Sequence, residues 1–201
     1  MNIAIPDTLP QSPFSLVSDI LNEAKARIHP NPLAMILATA DTSGKPSSRT
    51  VLLKKYDETG FVFFTNSQSR KGCQMRDNPF ASLTFYLEPL GKQIQVEGSV
   101  QLIDPKASDL YWQTRSRESQ IGAWASAQSR EIPPGDDFKS RYANFKKKFD
   151  TVAAIPRPSH WNGYRVSPKR IEIWFEGDHR LHHRICYLKS GESWSVSRLY
   201  P

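Results

Sequence analysis

Apolar and polar positions change period several times along the 201-residue chain, and each change marks an element. From Ser12 to Ile28, Leu16, Ile20, Leu21 and Ala24 recur at helical spacing. Ser12 before Pro13 supplies an N-cap followed by proline at the first helical position. "HPNPLA" breaks that period, and a β-rich run follows. Ala34 to Ala40 reads as a short, mostly buried strand, Ser47 to Tyr56 as a second and Phe61 to Thr65 as a third, divided by the turns "TSGKP" and "DETG". This spacing predicts an antiparallel meander rather than a strand–helix–strand crossover. Asn66 or Ser67 then caps a helix to about Asp77, Pro79 stops it, and Ala81 to Leu87 is again extended. The cleanest alternation lies in "KQIQVEGSVQLID". Ile94, Val96, Val100 and Leu102 share one face and Gln93, Gln95, Glu97 and Gln101 the other, with Gly98 marking a bulge or a close approach.

The second half begins helical. Pro105 to Arg115, Ser119 to Ala127, and a segment placing Phe138, Tyr142, Phe145 and Phe149 at helical spacing all predict helices. Gly163 to Val166 with Arg170 to Glu176, then Arg180 to Leu188 and Ser193 to Leu199, predict closing strands, the last two joined by "KSGE". The order β-rich, helical, β-rich argues for a mainly β (α+β) fold: one antiparallel barrel with peripheral helices. No repeat or linker divides the chain, so residues 1–201 are expected to form one domain with residues 1–12 as a flexible arm.

Composition narrows the function classes. No apolar run approaches the roughly 18 residues that span a bilayer, and the N-terminus lacks a secretory pattern. Two cysteines without CxxC spacing, Cys73 and Cys186, suit a reduced cytoplasmic protein. Lys and Arg number 27 against 20 acidic residues, a net charge of +7. The one dense basic tract is "FKKKFD"; the other cations stand singly, which favours discrete anion contacts over a nucleic-acid track. "GxSxG", "HExxH", a P-loop and "GxGxxG" are all absent.

Cations at element ends stand out instead. Arg49 and Lys54, five apart on one expected strand, would point to opposite faces. That strand alone leaves open a ligand contact or a solvated arginine with a snorkelling lysine. Arg70 and Lys71 fall in the first turn of a helix, where free N–H groups and the dipole favour a bound anion, and a phosphate site is the better reading than a polar surface. "RSRESQIGAW" by itself fits an interhelical loop equally well. In "HRLHHR", three histidines invite a metal reading. On a strand, however, Arg180, His182 and Arg184 would share a face, and two permanent cations there repel a metal.

Together, "RTVLLKKYDETGFVFFTN", "SRKGCQMRDNP", "KQIQVEGSV", "RSRESQIGAWASAQS", "RPSHWNGYRVSPKRIEIWF" and "HRLHHR" resemble the pyridoxine/pyridoxamine 5′-phosphate oxidase family, in order from Pro32 to Pro201. The resemblance implies a homodimeric split β-barrel with FMN in clefts between the subunits. It implies FMN contacts at Arg49, Thr50, Val51, Leu52, Lys54, Phe64, Thr65, Arg70, Lys71, Gln93, Gln128, Ser129, Trp174 and Arg184. It implies a substrate-phosphate pocket at Lys54, Tyr111, Arg115 and Ser119, with Arg180 and His182 over the substrate ring as catalytic residues, and no metal. The implied reaction oxidises pyridoxamine or pyridoxine 5′-phosphate to the aldehyde with dioxygen, releasing hydrogen peroxide; the flavin supplies the redox chemistry.

The sequence departs from the family pattern in three places: a short N-terminal arm, Phe64 where tyrosine is common, and Asn162 where glycine is expected. Two rivals are a same-fold oxidase of another reduced ring, as in phenazine formation, and a non-catalytic flavin- or nucleic-acid-binding module. Retention of the Lys54, Tyr111, Arg115 and Ser119 set argues against the first, and scattered cations against the second.

Overall fold

The computed structural model describes residues 5, 6 and 8–201. Helix α1 (Pro13–Arg27) starts where the pattern predicts, with the Ser12 hydroxyl accepting the Phe14 N–H at 3.4 Å. Its apolar stripe of Phe14, Leu16, Val17, Ile20, Leu21 and Ala24 is buried. Nine strands follow: β1 (Ala34–Ala40), β2 (Pro46–Leu52), β3 (Lys55–Asp57), β4 (Gly60–Asn66), β5 (Phe80–Leu87), β6 (Lys92–Leu102), β7 (Trp161–Phe175), β8 (His183–Ser190) and β9 (Ser193–Leu199). Helices α2 (Arg70–Asp77), α3 (Pro105–Gln113), α4 (Arg117–Ala125) and α5 (Phe138–Lys148) lie between them.

The strands form one antiparallel sheet in the order β2-β1-β5-β6-β7-β4-β3, with β8 on β7 and β9 on β8. Strand β7 creates the split. It pairs with β6 from Tyr164 to Phe175, while its other edge takes β4 over Trp161–Val166 and β8 over Arg170–Phe175. One inner face carries Met35, Leu37, Leu83, Phe85, Ile94, Val96, Ile171, Ile173, Ile185 and Tyr187, and α1 packs with them into the main core. A buried ion pair fixes that helix, since Glu23 accepts from Lys92 on β6 at 2.7 Å and from Arg27 at 2.6 Å. A smaller core of Trp112, Ile121, Phe149, Ile155 and Trp161 lies under α3 to α5.

Several sequence expectations need correction. The first strands are not a meander: β2 and β3 lie at opposite ends of the sheet path. The expected strand from Ser47 to Tyr56 breaks at Leu53 and Lys54, which bond to different edges. Leu53 N–H reaches Leu33 O at 3.0 Å and Lys54 N–H reaches Val62 O at 2.8 Å, so the chain steps from one end of the sheet path to the other. Strand β1 is buried on one face only, with Ile36 exposed on the other. Ser69, not Asn66 or Ser67, caps α2, and α4 starts two residues before Ser119. The two short strands expected between Gly163 and Glu176 are one continuous β7. Gly98 does mark both a register shift and a close approach, because a Cβ there would stand 2.0 Å from Ser167 O. Within the expected flexible arm, Ile5 and Leu9 pack against the core, and residues 1–4 and 7 lie outside the described residues.

The largest correction concerns "HRLHHR". Strand β8 begins at His183, and Asp178–Arg180 form a single 3-10 turn in which His179 and Arg180 take left-handed φ values of 53° and 65°. Alternation therefore cannot place Arg180, His182 and Arg184 on one face. Gly177 permits this tight turn, since a Cβ there would lie 2.1 Å from Leu181 O.

Candidate active site

The step at Leu53 and Lys54 brings the end of β2 beside β4 and the start of α2, and a cavity of about 600 Å³ opens between them. It is lined by Arg49, Thr50, Val51, Leu52 and Lys54, by Phe64 and Thr65 of β4, and by Arg70 and Lys71 of α2. Tyr111, Arg115, Gln128 and Ser129 complete the ligand-facing set from the helical layer. Ser119 lines an adjoining cavity that shares Phe64, Thr65, Arg115 and Gln128. Arg49 and Lys54 thus face one space, not opposite ones. The lining holds five cationic side chains and no carboxylate. Like charges held this close without an internal counter-charge call for an anionic ligand.

Arg49, Lys71 and Arg115 are held by hydrogen bonds within the chain. Arg49 donates to Leu37 O at 3.1 Å, Thr39 Oγ1 at 2.7 Å and Ser47 Oγ at 2.6 Å. Lys71 is buried and donates to Gln128 Oε1 at 2.8 Å and Ser69 Oγ at 3.2 Å; Thr65 Oγ1 reaches the same Gln128 oxygen at 3.2 Å. Burial, reinforced by the Arg49 charge, pulls the Lys71 ammonium down to about 8. Burial also lowers Arg49, with Arg70 adding repulsion. Arg115 lies 4.9 Å from the Trp161 ring centre and donates to Ser119 O at 3.1 Å. Its buried Nε has no protein partner, a donor aimed at nothing the chain supplies. Beneath it, Phe64, Tyr111 and Trp161 form a parallel stack with centroids 4.1 and 5.0 Å apart.

Five expected site residues do not line this cavity. Gln93, Trp174 and Arg184 form a cross-strand row on β6, β7 and β8. His182 packs on Trp174 with ring centres 4.6 Å apart and accepts the Gly177 N–H through Nδ1 at 3.2 Å. Arg180 is exposed on the turn beside it. Arg184 donates to Glu172 at 2.7 Å, and Arg170 holds the other carboxylate oxygen. Burial alone would raise Glu172; these two arginines outweigh it and hold the carboxyl below its usual range. The expected site residues thus fall into two separate groups, one lining the cavity and one on β6 to β8 and the turn before β8.

Residues 20–148 match the family described as Pyridoxamine 5'-phosphate oxidase, and residues 161–201 its relative, the Pyridoxine 5'-phosphate oxidase C-terminal dimerisation region. A pyridoxine/pyridoxamine 5'-phosphate oxidase of Myxococcus xanthus is 42% identical over 193 residues, covering 96% of this chain and 93% of its own. The chain belongs to the pyridoxamine 5'-phosphate oxidase family. A member from Cupriavidus necator is 45% identical over 190 residues, covering 94% and 89% of the two chains. Among solved structures, PhzG from Burkholderia lata, in complex with tetrahydrophenazine-1-carboxylic acid, superposes with a TM-score of 0.92 at 31% identity, over 100% of this chain and 98% of that one. The split-barrel architecture is therefore shared with this family.

For this member of the oxidase family, the dimerisation region contains Trp174, Arg180, His182 and Arg184, four of the five residues that stand apart from the cavity. Of the two internal departures, Asn162 is explained by its bonds. Its side chain donates to Ser159 O at 3.0 Å and Ser67 Oγ at 3.3 Å and accepts from Arg157 at 3.0 Å, tying β7 to the loop before α2. Phe64 fills its position as one ring of the stack. Sequence reasoning missed Ser47 and Ser48, which line the cavity, and Trp161, which carries Arg115. Only the parity of Ser47 with Arg49 on an extended segment hinted at the first.

Proposed function

We propose that this protein is an FMN-dependent oxidase that converts pyridoxamine or pyridoxine 5′-phosphate to pyridoxal 5′-phosphate, with dioxygen as acceptor. The observation that carries this reading is the cavity with five cations and no carboxylate. Two phosphate esters, one of the cofactor and one of the substrate, would neutralise it. The orphaned Arg115 Nε and the depressed Lys71 fit the same demand. FMN would be held by Arg49, Arg70 and Lys71 at its phosphate. Thr50 to Leu52, Phe64, Thr65, Gln128 and Ser129 would contact it from the same chain, and Gln93, Trp174 and Arg184 would do so from a second subunit. When bound, FMN would supply the two-electron redox chemistry of the oxidation, with dioxygen as the final acceptor and hydrogen peroxide as its product.

The chain's own residues bind and orient. Lys54, Tyr111, Arg115 and Ser119 grip the substrate phosphate, so the reacting carbon is placed rather than searched for. Arg180 and His182 of the facing subunit cover the ring. Because His182 Nδ1 accepts from Gly177 N–H, the neutral imidazole carries its proton on Nε2, free to donate to the substrate. The reading takes the working unit as a homodimer, each chain a single domain, in the cytoplasm.

Aerobic assay with both 5′-phosphates, following aldehyde and peroxide, tests this directly. The expected outcome is a yellow protein that releases FMN on denaturation and turns over at least one ester. FMN binding without turnover of either ester shifts the reading to a same-fold oxidase of another reduced ring, the reading supported by likeness to PhzG. Failure to bind FMN at all removes both.

A further inference from the structure

Arg49 and the cations of α2 come from different elements, β2 and α2, and something must hold them in one arrangement. Thr39 and Ser47 are direct partners across β1 and β2, and Arg49 lies two residues beyond Ser47 on the same face. The Arg49 guanidinium donates to both hydroxyls, at 2.7 and 2.6 Å. Arginine has no acceptor, so each hydroxyl must spend a lone pair on it and turn its own proton elsewhere. Both protons go to one atom: Gln74 Oε1 accepts from Thr39 at 2.6 Å and from Ser47 at 2.8 Å. Gln74 is 6% exposed and Thr39 is 3% exposed, so water is not a ready substitute. Gln74 lies one turn along α2 from Arg70 and Lys71, on their side of the helix.

We propose that Gln74 is a positioning residue for the anion cavity. Through two hydroxyl relays it sets the Arg49 guanidinium and locks the β2 cation to the α2 cations as one preformed cradle. The inference rests on the reading that this cradle holds the FMN phosphate. Repulsion within the cradle makes the relay necessary, since Arg70 disfavours the charge on Arg49, and Arg49 that on Lys71. Without a fixed partner set, the arginine would swing away from its like-charged neighbours and would have to be reordered on binding.

Titration of apoprotein with FMN, followed by flavin fluorescence, tests the relay, with thermal unfolding of the same apoproteins alongside. Gln74→Leu leaves both hydroxyl protons without an acceptor and should weaken FMN about tenfold, the scale of one charge-assisted hydrogen bond. Gln74→Glu keeps the acceptor and should retain the relay geometry. In an Arg49→Lys background, where the forked relay no longer exists, Gln74→Leu should cost less than about twofold. An equal loss in both backgrounds, tracking the fall in unfolding temperature, would mean a purely structural glutamine and overturn the proposal. If Gln74→Leu does not fold, Ser47→Ala decides, because it removes one arm from a half-buried strand position. It should weaken FMN by about threefold, and only when Arg49 is present. Wild-type protein that takes no FMN overturns the cofactor reading and the relay together. Wild type that binds while Gln74→Leu and Ser47→Ala bind equally well overturns the relay alone.

Discussion

Lys71 is the residue whose chemistry is most altered by its surroundings. At pH 7 it is charged; above about 8 the ligand-free protein progressively releases that proton. A bound phosphate restores the charge, so binding at high pH must take up a proton and affinity must fall as pH rises. Between pH 7 and pH 9 the loss from this group should reach about tenfold, set by the pH interval above its depressed pKa. FMN titrations across that range check it. Lys71→Met should bind more weakly at pH 7 yet lose most of the pH dependence; an unchanged slope would assign the effect to another group. Arg70 and Arg180 separate binding from turnover. Arg70→Ala should weaken FMN by at least about tenfold through loss of a charge-assisted contact, whereas Arg180→Ala should keep FMN and lose most turnover. Equal loss of FMN in both variants would contradict these roles.

At the scale of elements, α2 matters most because its first turn carries two cations against its own dipole. Ser69 makes this tolerable. Its Oγ accepts from Gly72 N–H and Lys71 Nζ and donates to Asn66 O at 2.6 Å. Ser69→Ala should cost about 1 kcal/mol, a fall of roughly 2–4 °C in the unfolding midpoint for a chain of this size. FMN affinity should drop with it, because Lys71 loses one of its two side-chain partners. A melting curve and a titration on one sample read both. Elements were largely legible from the chain: α1, β1 and β9 fall within a residue of the pattern, since caps and periodicity act locally. The breaks were less legible. Nothing in "VLLKKY" announces that Leu53 and Lys54 bond to different edges, because that depends on which strands lie beside them. The turn at Asp178–Arg180 was hidden for a related reason. It needs left-handed backbone at His179 and Arg180, costing roughly 1–3 kcal/mol each, a conformation those residues do not favour on their own.

At the scale of the molecule, the separation of the cavity from the Trp174–Arg184 row bears on assembly. If the cavity of one chain meets the Trp174–Arg184 row of another, the protein sediments as a dimer and mutations in the two halves complement. Arg115→Ala and Arg180→Ala homodimers should each be nearly inactive. Unfolded together and refolded, they should regain about a quarter of wild-type activity, because half the dimers are hybrids and each hybrid has one intact site. No recovery, with the two variants carrying tags of different size so that hybrids are identified by mass, would place both halves of each site in one chain.

The sequence by itself determined the element types, the barrel class and the cationic character of the cavity, because these follow from local periodicity, capping and charge. Six motifs in register along the chain also sufficed to point to the family. Only the tertiary structure decided that Arg49 and Lys54 face one cavity and that Gln74 binds Arg49 through two hydroxyls. Only the tertiary structure, too, set Arg180 and His182 apart from the cationic cavity of their own chain. The physical reason is shared by all three. Each depends on how sheet edges meet after the barrel curls, a long-range geometry that no window of neighbouring residues encodes.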